Sequence, residues 1–284
     1  MNLPVYLVNG NPGNLVPITD RAVQFGDGVF ETFLVEQGRA QYLKRHMTRL
    51  RHGCRRLGLE GIDFKSLQNE LQAIASQEQE GVLKLIVSRG YGTRGYRAIT
   101  NQRPSILLGM HPLPAYNPDL QSDGIRARIC NLRLARQPAL AGLKHLNRLE
   151  QVLARAEWAD EDIPEGLLLD SSDQLVEGTM SNLFLVRKGQ LITADLRNCG
   201  VSGIMRSVIM DAAETLGLDT RITALSLSDV DCADELFISN CVIGICPIRK
   251  VDGIREYSVG PLVRKLIDTL RNWDDLENER WYST

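Results

Sequence analysis

The spacing of apolar positions in the first hundred residues switches between strand-like and helix-like patterns. Residues 43–58 place leucine, methionine and cysteine side chains on one face of a helix, and Gly58 is suited to end it. A second helix is predicted over 65–79. β-Branched and apolar runs predict strands at 5–9, 29–36, 82–88 and 105–109. This part of the chain is therefore expected to alternate strands with helices.

Residues 111–120 (HPLPAYNPDL) carry three prolines in ten positions. Proline fixes φ and biases the preceding residue away from helix, so the segment predicts an extended linker. We expect an N-terminal domain over 1–110, a linker over 111–121 and a C-terminal domain over 122–284. At 284 residues the chain has the length of two domains.

The second half of the chain continues the mixture of strands and helices. Strands are predicted at 125–132, 166–170, 183–187, 191–194 and 235–239, and helices at 146–158, 207–216 and 259–273. The helix over 146–158 is expected to bury one apolar stripe, formed by Leu146, Leu149, Val152, Leu153 and Ala156. The fold class is therefore mixed α/β in two domains.

Composition excludes several classes of function. The net charge is −2 without a basic run, which argues against a nucleic-acid partner, and no apolar stretch approaches the length of a membrane span. The N-terminus lacks the pattern of a secretory signal. Six cysteines without a CxxC pair and four scattered histidines predict no metal site. We expect free thiols and a cytoplasmic protein.

Three segments could carry chemistry, and each has an ordinary structural interpretation. Lys144 precedes a predicted helix, where a lysine is usually a solvated charge, although a partly buried amine can form a Schiff base. Glu177 precedes small polar residues and an apolar strand, as in many surface turns. Residues 202–206 lead into a helix, whose first N–H groups can bind an anion, although most helix starts bind nothing.

The order of these segments is that of the fold-type IV pyridoxal 5′-phosphate (PLP) enzymes. The chain resembles this family, also called class IV aminotransferases, over nearly its whole length. The motifs that carry the resemblance are Asp20-Arg21, Phe25-Gly-Asp-Gly-Val-Phe-Glu-Thr, His46-Met-Thr-Arg-Leu, Lys144, Glu177, Ser181-Asn-Leu-Phe and Gly203-Ile-Met-Arg. The resemblance implies a smaller N-terminal α/β domain, a larger C-terminal domain, and PLP at their interface. It also implies a homodimer.

Carried over by position, the resemblance implies a role for each matching residue. Lys144 would be the Schiff-base lysine and proton shuttle, and Glu177 the carboxylate facing the pyridine nitrogen. The phosphate would be bound by Arg49, by the backbone N–H groups of Ile204 and Met205, and by the loop at Asn240-Cys241. A cysteine at 241, where aminotransferases often have threonine, puts a side-chain hydroxyl contact in doubt.

Within the family, the sequence around Lys144 (AGLKHLNRLEQVL) and the loop sequence SRGYGTRGY resemble those of the 4-amino-4-deoxychorismate lyases. This implies conversion of 4-amino-4-deoxychorismate to 4-aminobenzoate and pyruvate, a step that feeds folate synthesis. Thr32 would assist proton transfer beside the lysine. Arg94, Tyr96 and the competing Arg89 are candidates for substrate carboxylates, unless the loop is an ordinary glycine-rich basic loop. A branched-chain or D-amino-acid aminotransferase is the alternative.

Overall fold

A computed structural model describes residues 6–92, 94–98, 102–115, 119–271 and 273. The chain forms two compact units. The first contains Met1–Ala115 together with Leu143–Arg148, and the second contains Tyr116–Gly142 and Leu149–Thr284. The segment around Lys144 thus packs with the first unit, although it is flanked in sequence by the second. The linker prediction falls partly on residues 116–118, which lie outside the described part.

The first unit is built on a six-stranded antiparallel sheet in the order β2-β1-β6-β5-β3-β4. Its elements are β1 (Tyr6–Val8), β2 (Asn11–Pro12), α1 (Arg21–Phe25), β3 (Gly28–Glu36), β4 (Arg39–Ala40), α2 (Leu43–Leu57), α3 (Phe64–Ala75), β5 (Glu80–Ser88) and β6 (Ser105–His111). The predicted strands and helices of this region are present, although α3 ends at Ala75 rather than at residue 79. The short elements α1, β2 and β4 were not predicted.

Helix α2 ends where its sequence predicts. Gly58 adopts a left-handed conformation with φ of 63° and closes the helix through its N–H, which donates to Arg55. The apolar face of α2 contributes Met47, Leu50 and Cys54 to a core shared with the inward residues of β3. Strand β3 alternates strictly, so Val29, Glu31 and Phe33 face this core while Phe30 and Thr32 lie on the opposite face.

The second unit contains a nine-stranded mixed sheet. Its elements are α4 (Leu120–Asp123), β7 (Ile125–Leu134), α5 (Leu149–Arg155), β8 (Glu165–Asp170), β9 (Leu175–Gly178), β10 (Asn182–Arg187), β11 (Gln190–Ala194), α6 (Ile204–Thr215), β12 (Thr220–Thr223), α7 (Leu227–Asp231), β13 (Glu235–Asn240), β14 (Gly244–Val251), β15 (Arg255–Glu256) and α8 (Pro261–Arg271). The strand order is β12-β11-β10-β13-β14-β7-β8-β9, with β15 on β14.

This second sheet closes on itself. Strand β9 pairs with β10 as well as with β8, so β10, β13, β14, β7, β8 and β9 form a ring. The pairing that closes the ring sets Glu177 directly opposite Asn182. Leu167 of β8, Leu183 of β10 and Ile238 of β13 belong to one apolar core. Glu177 and Asn182 therefore stand on neighbouring strands that pair with each other.

The prediction of one buried stripe over 146–158 is wrong. Leu146 donates its N–H to Gly28 as part of the Leu143–Arg148 segment, so the helix begins only at Leu149. In α5 the small Ala154 is the buried residue, whereas Leu149, Val152 and Leu153 are 74%, 60% and 60% exposed.

The described part of the chain contains no helix long and apolar enough to cross a membrane. It also contains no group of three or more histidine, cysteine or acidic residues that could hold a metal ion. All six cysteines are free thiols, four of them buried.

Candidate active site

In the first unit, the segment that carries Lys144 is bonded along the start of β3. The Phe30 N–H donates to the Lys144 carbonyl at 2.9 Å, and His145 forms a bridge with Val29. These bonds place the half-buried Lys144 Nζ 4.2 Å from the centre of the Phe30 ring. The amine is therefore held over an aromatic face by backbone pairing that starts at the lysine itself.

Thr32 lies on the face of β3 that also carries Phe30. Directly opposite Thr32 on β5 stands Lys84, whose Nζ lies 5.5 Å from the centre of the same Phe30 ring. The structure thus brings Thr32, Lys144 and a second lysine to one face of the sheet. Sequence reasoning missed Lys84 because, inside VLKLIVS, it reads as the polar residue of an alternating strand.

Arg49, in α2, pairs with Glu31 on the opposite face of β3 from Phe30 and Thr32. The Arg49 Nε donates to Glu31 Oε1 at 2.8 Å, a second donor reaches Oε2, and His46 Nδ1 lies 2.6 Å from Oε2. Burial alone would raise the pKa of Glu31, but the charge of Arg49 and the hydrogen bonds from Arg49 and His46 lower it to about 2. Glu31 thereby fixes the orientation of the Arg49 guanidinium.

Arg89, Arg94 and Tyr96, the three candidates for substrate binding, lie in the loop after β5 and differ in exposure and contacts. Arg89 donates to both carboxylate oxygens of Asp27 and to the carbonyls of Leu57 and Gly58. Most of its N–H groups are therefore used inside the unit, which favours a structural role for Arg89. Arg94 is exposed.

Tyr96 is 87% exposed, and its ring lies 5.4 Å from that of Phe25. Arg21 holds the backbone of the segment that contains Arg94 and Tyr96. This buried arginine pairs with Asp27 and donates to the carbonyls of Gly95 at 3.0 Å and Tyr96 at 2.9 Å. The backbone of the loop is therefore held while its side chains remain accessible. Residue 93 lies outside the described part of the chain.

In the second unit, Glu177 is buried in β9, which rules out the surface-turn interpretation of this residue. Its Oε2 accepts a 2.8 Å hydrogen bond from the Val201 N–H, and Asn182 Nδ2 donates to the Val201 carbonyl at 2.9 Å. Both backbone groups of Val201 are thus held by two side chains that face each other across β9 and β10. Gly142, the last residue before the Lys144 segment, forms a bridge with the same Val201.

Ile204 and Met205 are the first two residues of α6, and no side chain caps this helix start. An added Cβ on the preceding Gly203 would overlap Asn182 Oδ1, so the backbone approaches the β10 side chain more closely than any other residue would allow. In the same first turn, burial lowers the pKa of Arg206 to about 10. The Arg206 guanidinium donates to the Ala194 carbonyl at 3.0 Å and to the Thr193 hydroxyl at 3.3 Å. The uncapped N–H groups at the helix start suit an anion.

Asn240 and Cys241 lie where β13 turns into β14. Asn240 Oδ1 accepts from the N–H groups of Val242 at 2.9 Å and Ile243 at 3.0 Å, which orders the loop, and its Nδ2 donates to the Met180 carbonyl at 3.3 Å. Cys241 is half-buried.

Each unit holds groups of the kind that PLP requires. These are an amine to bond its aldehyde, a buried carboxylate for its ring nitrogen, and uncapped helix N–H groups with arginine for its phosphate. The residues present therefore fit the cofactor.

This fold and this set of residues are those of a PLP enzyme, and comparisons with known proteins define the class. The family model described as amino-transferase class IV matches residues 28–251. The chain belongs to this family, whose members use PLP. The fold-type IV assignment made from the motifs is thereby confirmed.

Individual relatives are similar to this chain over nearly its whole length. The chain is 30% identical to an aminodeoxychorismate lyase of Vibrio harveyi over 92% of this chain and 98% of the relative. A crystal structure of 4-amino-4-deoxychorismate lyase from Pseudomonas aeruginosa is 45% identical, covers 96% of this chain and 100% of its own, and has a TM-score of 0.92. A D-alanine aminotransferase of Bacillus licheniformis is 27% identical over 90% of this chain and 91% of the relative.

Proposed function

We propose that the protein is an aminodeoxychorismate lyase, which converts 4-amino-4-deoxychorismate to 4-aminobenzoate and pyruvate. The observation that carries the proposal is the face of β3 where the Lys144 amine lies over Phe30 beside Thr32. An elimination needs a base and a proton donor on the reacting bond, and a lysine and a hydroxyl supply both. Similarity to two lyases over almost the whole chain supports the same assignment.

Lys144 has two tasks in this reaction. Its amine would hold PLP covalently, and once it is released it would take the proton from C4 of the substrate. PLP, when bound, withdraws electrons from the carbon that carries the substrate amine. The bond from C3 to the enolpyruvyl oxygen then breaks, and Lys144 or Thr32 returns a proton to the leaving group. Pyruvate departs, and the ring becomes aromatic, which drives the step.

The other site residues hold the cofactor. Glu177 would keep the pyridine nitrogen protonated, since a buried carboxylate stabilises a nearby positive charge. Arg49, held by Glu31, would bind the phosphate through the N–H donors of its planar guanidinium. The N–H groups of Ile204 and Met205 and the loop at Asn240 and Cys241 would complete the phosphate site.

The substrate carries two carboxylates, and the loop after β5 offers cations for them. Arg94 and Tyr96 are exposed on a backbone that Arg21 holds, so they are the better candidates. Arg89 remains a competing candidate, although its donors mostly serve Asp27 and the end of α2.

The assembly and compartment belong to the same proposal. Helix α5 exposes leucine and valine side chains. Such apolar groups are stabilised when another surface covers them, and we propose that this surface belongs to a second copy of the chain. The protein would then be a homodimer. Six free thiols suit a reducing compartment, and we propose the cytoplasm.

The proposal is tested by incubating the PLP-loaded protein with 4-amino-4-deoxychorismate and measuring both products. Equal amounts of pyruvate and 4-aminobenzoate are expected. The alternative, an aminotransferase, would convert its cofactor to pyridoxamine 5′-phosphate when given an amino donor alone, and a lyase would not. Absence of both products together with that conversion would contradict the proposal.

A further inference from the structure

A buried carboxylate lies at the centre of the turn that follows Glu177. Glu165, the first residue of β8, is 2% exposed. Its Oε1 accepts hydrogen bonds from the N–H groups of Gly166 at 3.0 Å and Thr179 at 2.8 Å and from the Thr179 hydroxyl, and its Oε2 accepts from the Ser181 hydroxyl at 2.7 Å. Four donors surround the two oxygens, so the group binds as an acceptor only.

The turn over 178–181 folds around this carboxylate. The Gly178 N–H donates to the Ser181 carbonyl at 2.7 Å, which closes the turn between β9 and β10. An added Cβ on Gly178 would overlap the Ser181 hydroxyl and lie 2.8 Å from the carboxyl group of Glu165. The backbone is therefore packed directly against Glu165, and the turn has little freedom to move independently of it.

The ends and the tip of this turn touch every cofactor segment of the second unit. Glu177 and Asn182, at its two ends, hold the N–H and the carbonyl of Val201 ahead of α6. The Met180 carbonyl, at its tip, accepts from Asn240 in the last phosphate loop. A shift of the turn would thus displace the ring carboxylate, the helix start and the loop together.

We propose that Glu165 is a positioning residue for the cofactor site, which it shapes by fixing the turn over 178–181. The inference rests on the proposed function, because it concerns the same site. A glutamine at position 165 would present an N–H donor to at least one of the donors that now bind the carboxylate. The turn would then relax, and Glu177 would lose its fixed position.

The test compares Glu165→Gln with Glu235→Gln. Glu235 is 6% exposed in the same unit and accepts from the N–H groups of Leu262 and Val263 at the start of α8, away from the cofactor segments. Both changes remove a buried carboxylate that accepts backbone hydrogen bonds. The Kd for PLP, the pH at which the absorption band of the bound cofactor changes, and the Tm of the cofactor-free protein are measured for each.

Both variants are expected to lower the Tm. Only Glu165→Gln is expected to raise the Kd for PLP, by at least tenfold, and to move the pH of the spectral change. A Glu165→Gln protein whose Kd and spectral change match those of Glu235→Gln would overturn the proposal. If Glu165→Gln does not fold, Thr179→Val removes one donor to the same carboxylate and should alter the Kd in the same direction. An unchanged Kd in that variant would overturn it too.

The wild-type protein separates this inference from the proposed function. If wild type binds PLP and releases 4-aminobenzoate while Glu165→Gln binds PLP normally, only the role of Glu165 is contradicted. If wild type releases no 4-aminobenzoate but Glu165→Gln weakens PLP binding, the proposed function fails and the positioning role stands.

Discussion

Replacing Glu31 with glutamine should destabilise the first unit by an amount that depends on pH. Glu31 is 1% exposed and pairs with Arg49 and His46 across β3 and α2. Glutamine keeps the size of the side chain but removes the charge, so the partly buried Arg49 guanidinium would remain beside a neutral group. Removing one partner of a buried pair typically costs about 3–5 kcal/mol.

The pKa of Glu31 gives a second measure of the same effect. Its ordinary pKa is 4.5, and its neighbours lower it to about 2 in the folded protein. That difference corresponds to roughly 3 kcal/mol of stability at pH 7. Because the folded pKa is the lower one, this contribution is complete above the unfolded value and is lost as the pH falls through the folded value. It should shrink to about 1 kcal/mol at pH 3.

The assay is urea unfolding of the cofactor-free protein followed by circular dichroism at pH 7, 4 and 3. Cofactor is removed because a ligand of the folded state adds its own stabilisation. Hydrogen exchange of the β3 amides would assign the loss to the first unit. Glu36→Gln, at the exposed end of the same strand, is the matched control and should change stability by less than about 0.5 kcal/mol. A cost below 1 kcal/mol at pH 7, or one that does not decrease toward pH 3, would refute the reasoning.

Four further predictions concern the proposed roles directly. Lys144→Ala should abolish turnover and covalent attachment of PLP, and stoichiometric labelling of the variant after borohydride reduction would refute the assignment. Glu177→Gln should keep the fold and lower kcat about 10²-fold, since each 1.36 kcal/mol lost at the transition state is tenfold, and an unchanged kcat would refute it. Arg49→Ala should release PLP more easily and recover activity in excess cofactor; normal PLP affinity would place Arg49 away from the phosphate. Arg94→Lys should raise KM for 4-amino-4-deoxychorismate with an unchanged cofactor spectrum and Tm, because lysine cannot copy a two-bond contact to a carboxylate, and a normal KM would exclude that role.

The sequence was informative wherever local spacing decides the outcome. Helix α2 could be predicted with its end, because an apolar stripe and a glycine in the left-handed region are both local features. Strands β3 and β5 were equally clear, since their alternation is set by burial of one face. The positions of Lys144 and Glu177 were predicted from the order of motifs rather than from any one motif.

The rest depended on contacts between residues far apart in the chain. Glu31 reads as the polar member of a strand, and only its contact with Arg49, 18 residues later, reveals a buried ion pair. Glu165 was missed for the same reason, since the hydroxyls that bind it come 14 and 16 residues later. In α5, spacing predicted a buried stripe, but the chain ahead of Leu149 is bonded to β3 and the helix turns its small residue inward.

The contacts of Val201 connect the motifs at Glu177, Asn182 and Gly203 in this chain. Glu177 and Asn182 face each other on neighbouring strands, so their side chains can bind the two backbone groups of a single residue. That residue must lie a few positions ahead of α6 if the same strands are to hold the helix start. The connection between β11 and Val201 is held by other contacts, since Leu196 and Cys199 are buried in the core of the second unit. The short spacings from 177 to 182 and from 201 to 204 therefore follow from geometry, whereas the longer spacing between them depends on how the intervening strands and loop pack.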